Sequence, residues 1–307
     1  MMCLIGGVLI LSVAPSIFFT LPAAVITGYG ISLVFNNFVT ALDSYYGNQA
    51  PIAITQANAI GSCGYILGTA MVGTIATYYR EYWRLSLIFI LPLALLAFLI
   101  FDRKSVSTHI PDIQGRQQGK LSRNFWLAWF GFVACISSEF AISFWAGALI
   151  IQRTNSSPAI STLVIVALGT GMALGRWYWS DLLKKFALDI QLQLVILIQL
   201  IGFLILWTSH NIALSFFGLL VTGLGISSQF AFASLRLLSF SENRPDLAVG
   251  KSSLGVGFAA AGSPFLLGVI GDQVGISRAY LMVPVLIFFA FLFVKLAPST
   301  INVKNEF

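Results

Sequence analysis

Residues 137–145 read SSEFAISFW and place a carboxylate, Glu139, inside a stretch that is otherwise uncharged, 124–151. A charge at the centre of a membrane helix costs about 3 kcal/mol, and each Leu, Ile, Val or Phe returns roughly 0.3 to 0.6 kcal/mol. The stretch holds twelve such residues, so it can insert despite the charge. A carboxylate that faces a cavity can bind and release a proton as the cavity opens to either side. The alternative is a structural role, with Glu139 hydrogen-bonded to a neighbouring helix.

Two further groups of polar residues interrupt apolar segments. The segment 26–43 carries a stripe at three- and four-residue steps, formed by Asn36, Asn37, Thr40 and Asp43. A later apolar run contains the cluster Ser227, Ser228 and Gln229. Unpaired amides are costly in lipid, so both groups should face the protein interior or a wet cavity. We expect Asn36, Asn37, Ser228 and Gln229 to contact substrate beside Glu139, the alternative for the stripe being hydrogen bonds between helices.

The composition is that of a membrane protein. The chain has 307 residues, of which 58% are hydrophobic and only 9% are charged, and its mean hydropathy is +0.89. The net charge of +6 is attributed to loops beside membrane spans rather than to nucleic-acid binding. Cys3, Cys63 and Cys135 lie in apolar segments without ligand-like spacing, so neither a disulfide framework nor a metal site is predicted. No cofactor is expected.

Apolar runs long enough to cross a bilayer recur along the chain and predict an all-α polytopic protein. The ten predicted spans are 2–19, 22–42, 52–77, 85–101, 124–151, 158–177, 190–208, 211–235, 248–271 and 279–297. Of the 17 Lys and Arg residues, only Arg80, Arg84, Arg153 and Arg278 fall on one side of the predicted membrane. The side with the basic excess is predicted to be cytoplasmic, which places both termini there in a multi-pass protein of the cell membrane.

A polar segment divides the chain into two unequal groups of spans. Residues 102–123 are predicted to form a basic cytoplasmic linker between an incomplete N-terminal bundle of four spans, 1–101, and a C-terminal bundle of six spans with a short tail, 124–307. An offset of 195 residues aligns Gly73 with Gly268, each in a Gly-rich helix. The same offset would place two further N-terminal helices before Met1, as in a six-plus-six architecture.

Several motifs resemble those of the major facilitator superfamily. The segment MALGRWYWSDLLKKF, 172–186, resembles the cytoplasmic signature of the superfamily through Gly175, Arg176 and Asp181. That resemblance implies a cytoplasmic gate in which the acidic residue pairs with Arg or accepts from helix N-termini. The segment GSCGYILGTAMVG, 61–73, resembles the fifth-helix glycine motif, and AAAGSPFLLG is its counterpart in the second half. Both imply close helix packing, at Gly64, Gly68, Gly73, Gly262 and Pro264.

The sequence also resembles one branch of this superfamily, the fucose:proton symporter-like permeases. Members of that branch have a Glu followed by a Trp in the seventh helix and a Gly-Arg pair at the end of the eighth, as do Glu139, Trp145, Gly175 and Arg176. An Asn in the fourth helix matches Asn36 or Asn37. The resemblance implies helices three to twelve of the fold, with Glu139 in proton or substrate handling and Asn37 in contact with substrate.

The sequence therefore predicts a proton-coupled secondary transporter that works by alternating access. It would be a symporter of a small polar solute, with sugars as one candidate class. Its partners would be the substrate, protons and the lipid bilayer, and no nucleic acid. One alternative is a transport-incompetent remnant, or a misassigned start, because the first two helices are expected before Met1. A membrane-embedded enzyme is the other alternative, although His109 and His210 are isolated in predicted loops and no paired carboxylates are found.

Overall fold

The computed structural model describes residues 2–13, 16–46, 50–89, 91–92, 119–242 and 244–299. Within these residues the chain forms helices joined by short turns. They are α1 (Met2–Val13), α2 (Ile17–Tyr46), α3 (Ala50–Tyr78), α4 (Leu85–Ile88), α5 (Arg123–Thr154), α6 (Pro158–Leu183), α7 (Leu188–Thr208), α8 (Ile212–Ile226), α9 (Gln229–Ser239), α10 (Pro245–Val274), α11 (Ile276–Ala279) and α12 (Met282–Leu296).

The predicted membrane spans are found as helices over most of the described chain. Seven described helical segments are long and apolar enough to cross a membrane: Gln56–Tyr78, Arg123–Thr154, Pro158–Trp179, Leu188–Thr208, Ile212–Ser239, Leu247–Val274 and Ile276–Leu296. Shorter apolar helices occupy Met2–Val13 and Ile17–Ile31. Most of the predicted span 85–101 and most of the linker 102–123 lie outside the described residues. The all-α polytopic fold is confirmed.

Capping side chains define where the central helices begin. Ser122 accepts a hydrogen bond from the amide of Phe125 at the start of α5, and Ser157 accepts one from Ile160 at the start of α6. Pro158 occupies the first turn of α6, where an amide donor is not needed. Asn155 ends α5 in the left-handed conformation, with φ of 51°. The left-handed Asn155 and the Ser157 cap turn α5 sharply into α6, whereas the Ser122 cap fixes the start of α5.

The eighth predicted span is a broken helix, which the apolar run did not predict. Helix α8 ends at Ile226 and α9 begins at Gln229, so Ser227 and Ser228 separate them. The side chain of Ser227 donates to the carbonyl of Leu224 at 2.7 Å, which competes with regular helix hydrogen bonding. The break places backbone polar groups in the interior of the span, where another helix can bind them.

Indole groups fasten the helices of the C-terminal half to each other. Trp129 and Trp145 of α5 donate to the carbonyls of Lys251 and Pro264 in α10, at 2.8 and 2.9 Å. Trp179 of α6 donates to the carbonyl of Leu224 in α8 at 2.7 Å. Each bond satisfies an indole N–H that lies among apolar side chains. Helix α5 is thereby held against α10, and α6 against α8, in the orientation that the site requires.

Candidate functional site

Glu139 lies on a cavity between three helices. The cavity has a volume of about 270 Å³, and α3, α5 and α6 supply its described lining. The lining residues are Gly61, Ser62, Tyr65, Glu139, Phe140, Ser143, Phe144, Gly169, Met172 and Arg176. Helix α3 precedes the predicted linker and α5 and α6 follow it, so the cavity lies where the two parts of the chain meet.

The Glu139 carboxylate faces a cation across this cavity. The guanidinium of Arg176 lines the same cavity and interacts electrostatically with the carboxylate. Among the described residues, however, Glu139 forms neither a hydrogen bond nor an ion pair. If Glu139 had a purely structural role, its carboxylate would accept hydrogen bonds from a neighbouring helix. In this conformation the carboxylate instead remains available to a proton or a ligand.

Arg176 connects α6 to two other helices. Its Nη1 group donates to the carbonyl of Asn58 at 2.9 Å and also to the hydroxyl of Ser62, both in α3. Its Nε group donates to the carbonyl of Ser227 at 3.3 Å, at the break between α8 and α9. The long separations in sequence, 118 and 51 residues, show that these contacts depend on tertiary packing. Arg176 therefore joins α3 to the C-terminal helices at the edge of the cavity.

Apolar and aromatic side chains form most of the remaining cavity wall. Phe140 and Phe144 come from α5, Met172 comes from α6, and the ring of Tyr65 comes from α3. Gly169 of α6 is required for the position of Tyr65, because a Cβ atom at residue 169 would lie 2.6 Å from Cδ1 of that ring. Ser143 and the hydroxyl of Tyr65 add polar groups to this wall. The site thus combines one carboxyl group, one guanidinium cation and an apolar surface.

A chain of buried hydrogen bonds lies directly behind Glu139. Ser138 accepts from Nε2 of Gln199 at 2.9 Å, and Gln199 accepts from Nε2 of Gln229 at 2.7 Å. Ser138 in turn donates to the carbonyl of Cys135 at 2.7 Å. Gln229 is only 1% exposed, and its Oε1 atom has no partner among the described residues. The chain fixes α5, α7 and α9 around the segment that carries Glu139.

The residues predicted to bind substrate are distributed over different parts of the fold. Glu139 lines the cavity. Gln229 belongs to the buried hydrogen-bond chain, and Ser228 is buried beside Ser227 at the helix break, so neither is part of the described cavity lining. Asn36 and Asn37 belong to α2, but their side chains lie outside the described part of the structure. Substrate or proton contacts by all five residues stay predictions.

The predicted gate residues lie near the C-terminal end of α6. Gly175 packs against the side chain of Ser227, where a Cβ atom would clash with it. Arg176 lines the cavity. Asp181 also belongs to α6, but its side chain is outside the described part. The gating role assigned to these residues stays a prediction.

The glycines predicted to pack helices differ in their surroundings. A Cβ atom at Gly73 would lie 2.7 Å from Cγ of Leu163, so α3 approaches α6 closely there. Gly64, Gly68 and Gly262 instead face open space, with no described atom within 4 Å of an added Cβ. Pro264 is buried within α10 and accepts the Trp145 indole at its carbonyl. Among the described residues, close contacts therefore occur at Gly73 and Pro264, and no described atom approaches an added Cβ at the other three.

Two cavity residues of α3 were not predicted from the sequence. Ser62 lies four residues after Asn58, and Tyr65 lies three residues after Ser62, so all three lie on one face of α3. The polar spacing would have signalled that face. Asn58 contacts Arg176 through its backbone carbonyl, and the residue type at position 58 does not predict such a backbone contact.

A family model and a solved structure match this chain. The model of the Major Facilitator Superfamily matches residues 1–242. Among curated protein sequences, none matches significantly. The structure is similar to a crystal structure of a variant of the E. coli fucose:proton symporter FucP, with a TM-score of 0.61 and 15% sequence identity, covering 97% of this chain and 84% of that chain. At this identity the structural likeness establishes the fold alone.

Proposed function

This chain belongs to the Major Facilitator Superfamily, and we propose that it moves a small polar solute across the membrane by proton-coupled alternating access. It is a multi-pass membrane protein of a secondary-transporter family. Glu139 carries the coupling proton, and the cavity between α3, α5 and α6 receives the solute. The protein resides in the cell membrane with both termini in the cytoplasm.

The observation that carries this proposal is the position of Glu139. Its carboxylate lines a cavity between helices from both parts of the chain, without a hydrogen bond or ion pair to any described residue. Midplane sites between repeated bundles are the usual place for substrates and coupling ions in transporters. A carboxylate at such a site can be exposed to either side in turn, so protonation and conformational change become linked.

Sugars are one substrate class to consider, since the structurally similar protein is a fucose:proton symporter. Aromatic rings such as Tyr65, Phe140 and Phe144 can stack against the apolar face of a sugar ring. Hydroxyl groups of the sugar would then face Ser143 and Glu139. This substrate class remains part of the proposal.

Replacing Glu139 with Gln tests the coupling role. Glu139→Gln keeps the size of the side chain but cannot release a proton, so pH-driven accumulation in proteoliposomes should be abolished. Exchange of solute between equal concentrations should continue, because it needs no net proton movement. Glu242→Gln is the matched control, since Glu242 is exposed and outside the spans. Accumulation by Glu139→Gln at the wild-type level would exclude Glu139 as the coupling residue.

A further inference from the structure

Arg176 presents unused hydrogen-bond donors beside the cavity. A guanidinium has five N–H groups, and Nε and Nη1 of Arg176 are directed to Ser227, Asn58 and Ser62. The two N–H groups of Nη2 have no partner among the described residues. We propose that the cavity binds a small monocarboxylate with an apolar body, and that the carboxylate of this ligand binds Arg176. This inference rests on the proposed transport function and narrows its substrate.

The protein holds the guanidinium in place before any ligand arrives. Its three contacts come from α3 and from the break between α8 and α9, so the plane of the guanidinium is fixed from two sides. A fixed Arg loses little conformational entropy when it binds an anion, and its planar group suits a carboxylate. The remaining Nη2 donors can form charge-assisted hydrogen bonds, which are stronger than neutral ones.

The cavity wall favours an apolar ligand body over a sugar. Phe140, Phe144 and Met172 contribute apolar surface. The hydroxyl of Ser62 is already bound by Arg176, so the other polar side chains in the described lining are those of Ser143, Tyr65 and Glu139. A sugar brings several hydroxyl groups, each of which is costly to bury without a partner. A small aromatic or branched aliphatic carboxylate matches this surface with a single polar end.

Charge balance in the cavity links this ligand to the proton. Glu139 and Arg176 together are neutral, and a bound carboxylate would add a second negative charge in a poorly solvated site. Protonation of Glu139 restores neutrality. Arg176 of α6 acts electrostatically on Glu139, and Glu139 in turn acts on the titratable groups of Tyr65 in α3 and of Cys135 in α5 itself. One proton should therefore enter with each anion, and anion binding should weaken as the pH rises.

Binding to the purified full chain in detergent tests the substrate class. The probes are benzoate, phenylacetate and isovalerate, each paired with its uncharged amide, and L-fucose as a neutral polar solute. Isothermal titration over a pH series around neutrality should detect binding of a carboxylate, with its amide weaker by about tenfold or more. Affinity should fall by up to about tenfold per pH unit as the pH rises, the limit for one linked proton. If none of the carboxylates binds, whether or not L-fucose binds, the assignment is overturned.

Variants of the two charged residues separate their roles. Arg176→Gln should lose carboxylate binding, and Arg176→Lys should weaken it by about tenfold or more because Lys lacks the planar group. Glu139→Gln should bind carboxylates with no dependence on pH. If Arg176→Gln fails to fold, the affinity of Arg176→Lys and the pH series of Glu139→Gln still test the assignment. Wild-type affinity in both Arg176 variants, or a pH dependence preserved in Glu139→Gln, would refute the assignment.

Transport of the same probes distinguishes this inference from the function on which it rests. Carboxylate binding without counterflow in proteoliposomes would contradict the proposed function and leave the substrate assignment in place. Proton-driven accumulation of L-fucose, with no binding of carboxylates, would contradict the substrate assignment alone.

Discussion

Arg236 shows how a single charged residue is accommodated inside this fold. Its Nε donates to Asp189 at 2.8 Å, and the side chains of the two residues are only 2% and 15% exposed. Its Nη2 donates to the carbonyls of Phe293, Val294 and Ala297, which end α12. Asp189 also accepts from the amide and hydroxyl of Ser299. This pair therefore ties the start of α7 and the end of α9 to the end of α12.

Replacing Asp189 with Asn should destabilise the protein strongly. The change leaves the Arg236 guanidinium buried without its anion, and removing one partner of a buried pair costs about 3 to 5 kcal/mol. Thermal unfolding of the purified protein in detergent measures the effect. The matched control is Glu242→Gln, which weakens the exposed Glu242–Arg244 pair and should change the unfolding temperature little. Equal unfolding temperatures for Asp189→Asn and wild type would mean that the pair does not hold these helix ends together.

At the scale of residues, the sequence revealed charged side chains but not their partners. Glu139 stands out because its apolar stretch holds no other charge, and Arg176 was identified from a motif. Asp189 and Arg236 are 47 residues apart, and no sequence pattern predicted that they form an ion pair. Which charges meet is decided by helix packing, and one sequence does not encode that packing as a local pattern.

At the scale of elements, α8 is packed tightly between two neighbours. A Cβ atom at Gly223 would overlap the backbone of α6 at Leu168, and one at Gly225 would overlap the backbone of α7 at Gln199. Backbone atoms cannot rotate away as a side chain can. The helices approach this closely only because these positions have no side chain.

Replacing Gly223 with Leu should separate α8 from α6 and destabilise the C-terminal half. Overpacking of a tight core costs typically 1 to 3 kcal/mol, and the backbone contact places this site at the upper end of that range. Gly257→Leu in α10 is the control, because a Cβ atom added at Gly257 meets no described atom within 4 Å. Thermal unfolding in detergent compares the two. If Gly257→Leu lowered the unfolding temperature as much as Gly223→Leu, loss of the close contact would not be the cause.

The existence of the helices was easier to predict than their interruptions. Hydropathy alone identifies a span, because any segment that crosses a bilayer must be apolar and internally hydrogen-bonded. The break at Ser227 and Ser228 was not predicted, since two serines are tolerated within a regular helix. Here the carbonyl of Ser227 accepts a hydrogen bond from Arg176, a residue of another helix. The cavity likewise required knowledge of which faces of α3, α5 and α6 meet.

At the scale of the whole molecule, the contact between α3 and α6 joins the part of the chain before the predicted linker to the part after it. Gly73 packs against Leu163 near one end of this contact, and Arg176 binds Asn58 and Ser62 near the other. The division into two bundles stays a prediction from the sequence. If the bundles rock against each other, these contacts must rearrange in each transport cycle, whereas contacts within the C-terminal half need not.

Crosslinking tests this motion directly. Cysteines at positions 73 and 163, in a background where Cys3, Cys63 and Cys135 are replaced by Ser, should crosslink α3 to α6 and abolish counterflow in proteoliposomes. Reduction should restore it. The control pair, at positions 133 and 255, joins α5 to α10 within the C-terminal half, at a contact in which a Cβ atom at Gly255 would lie 2.9 Å from the side chain of Val133. That crosslink should leave counterflow intact because both helices move together. Full activity with positions 73 and 163 crosslinked would show that α3 and α6 remain fixed to each other during transport.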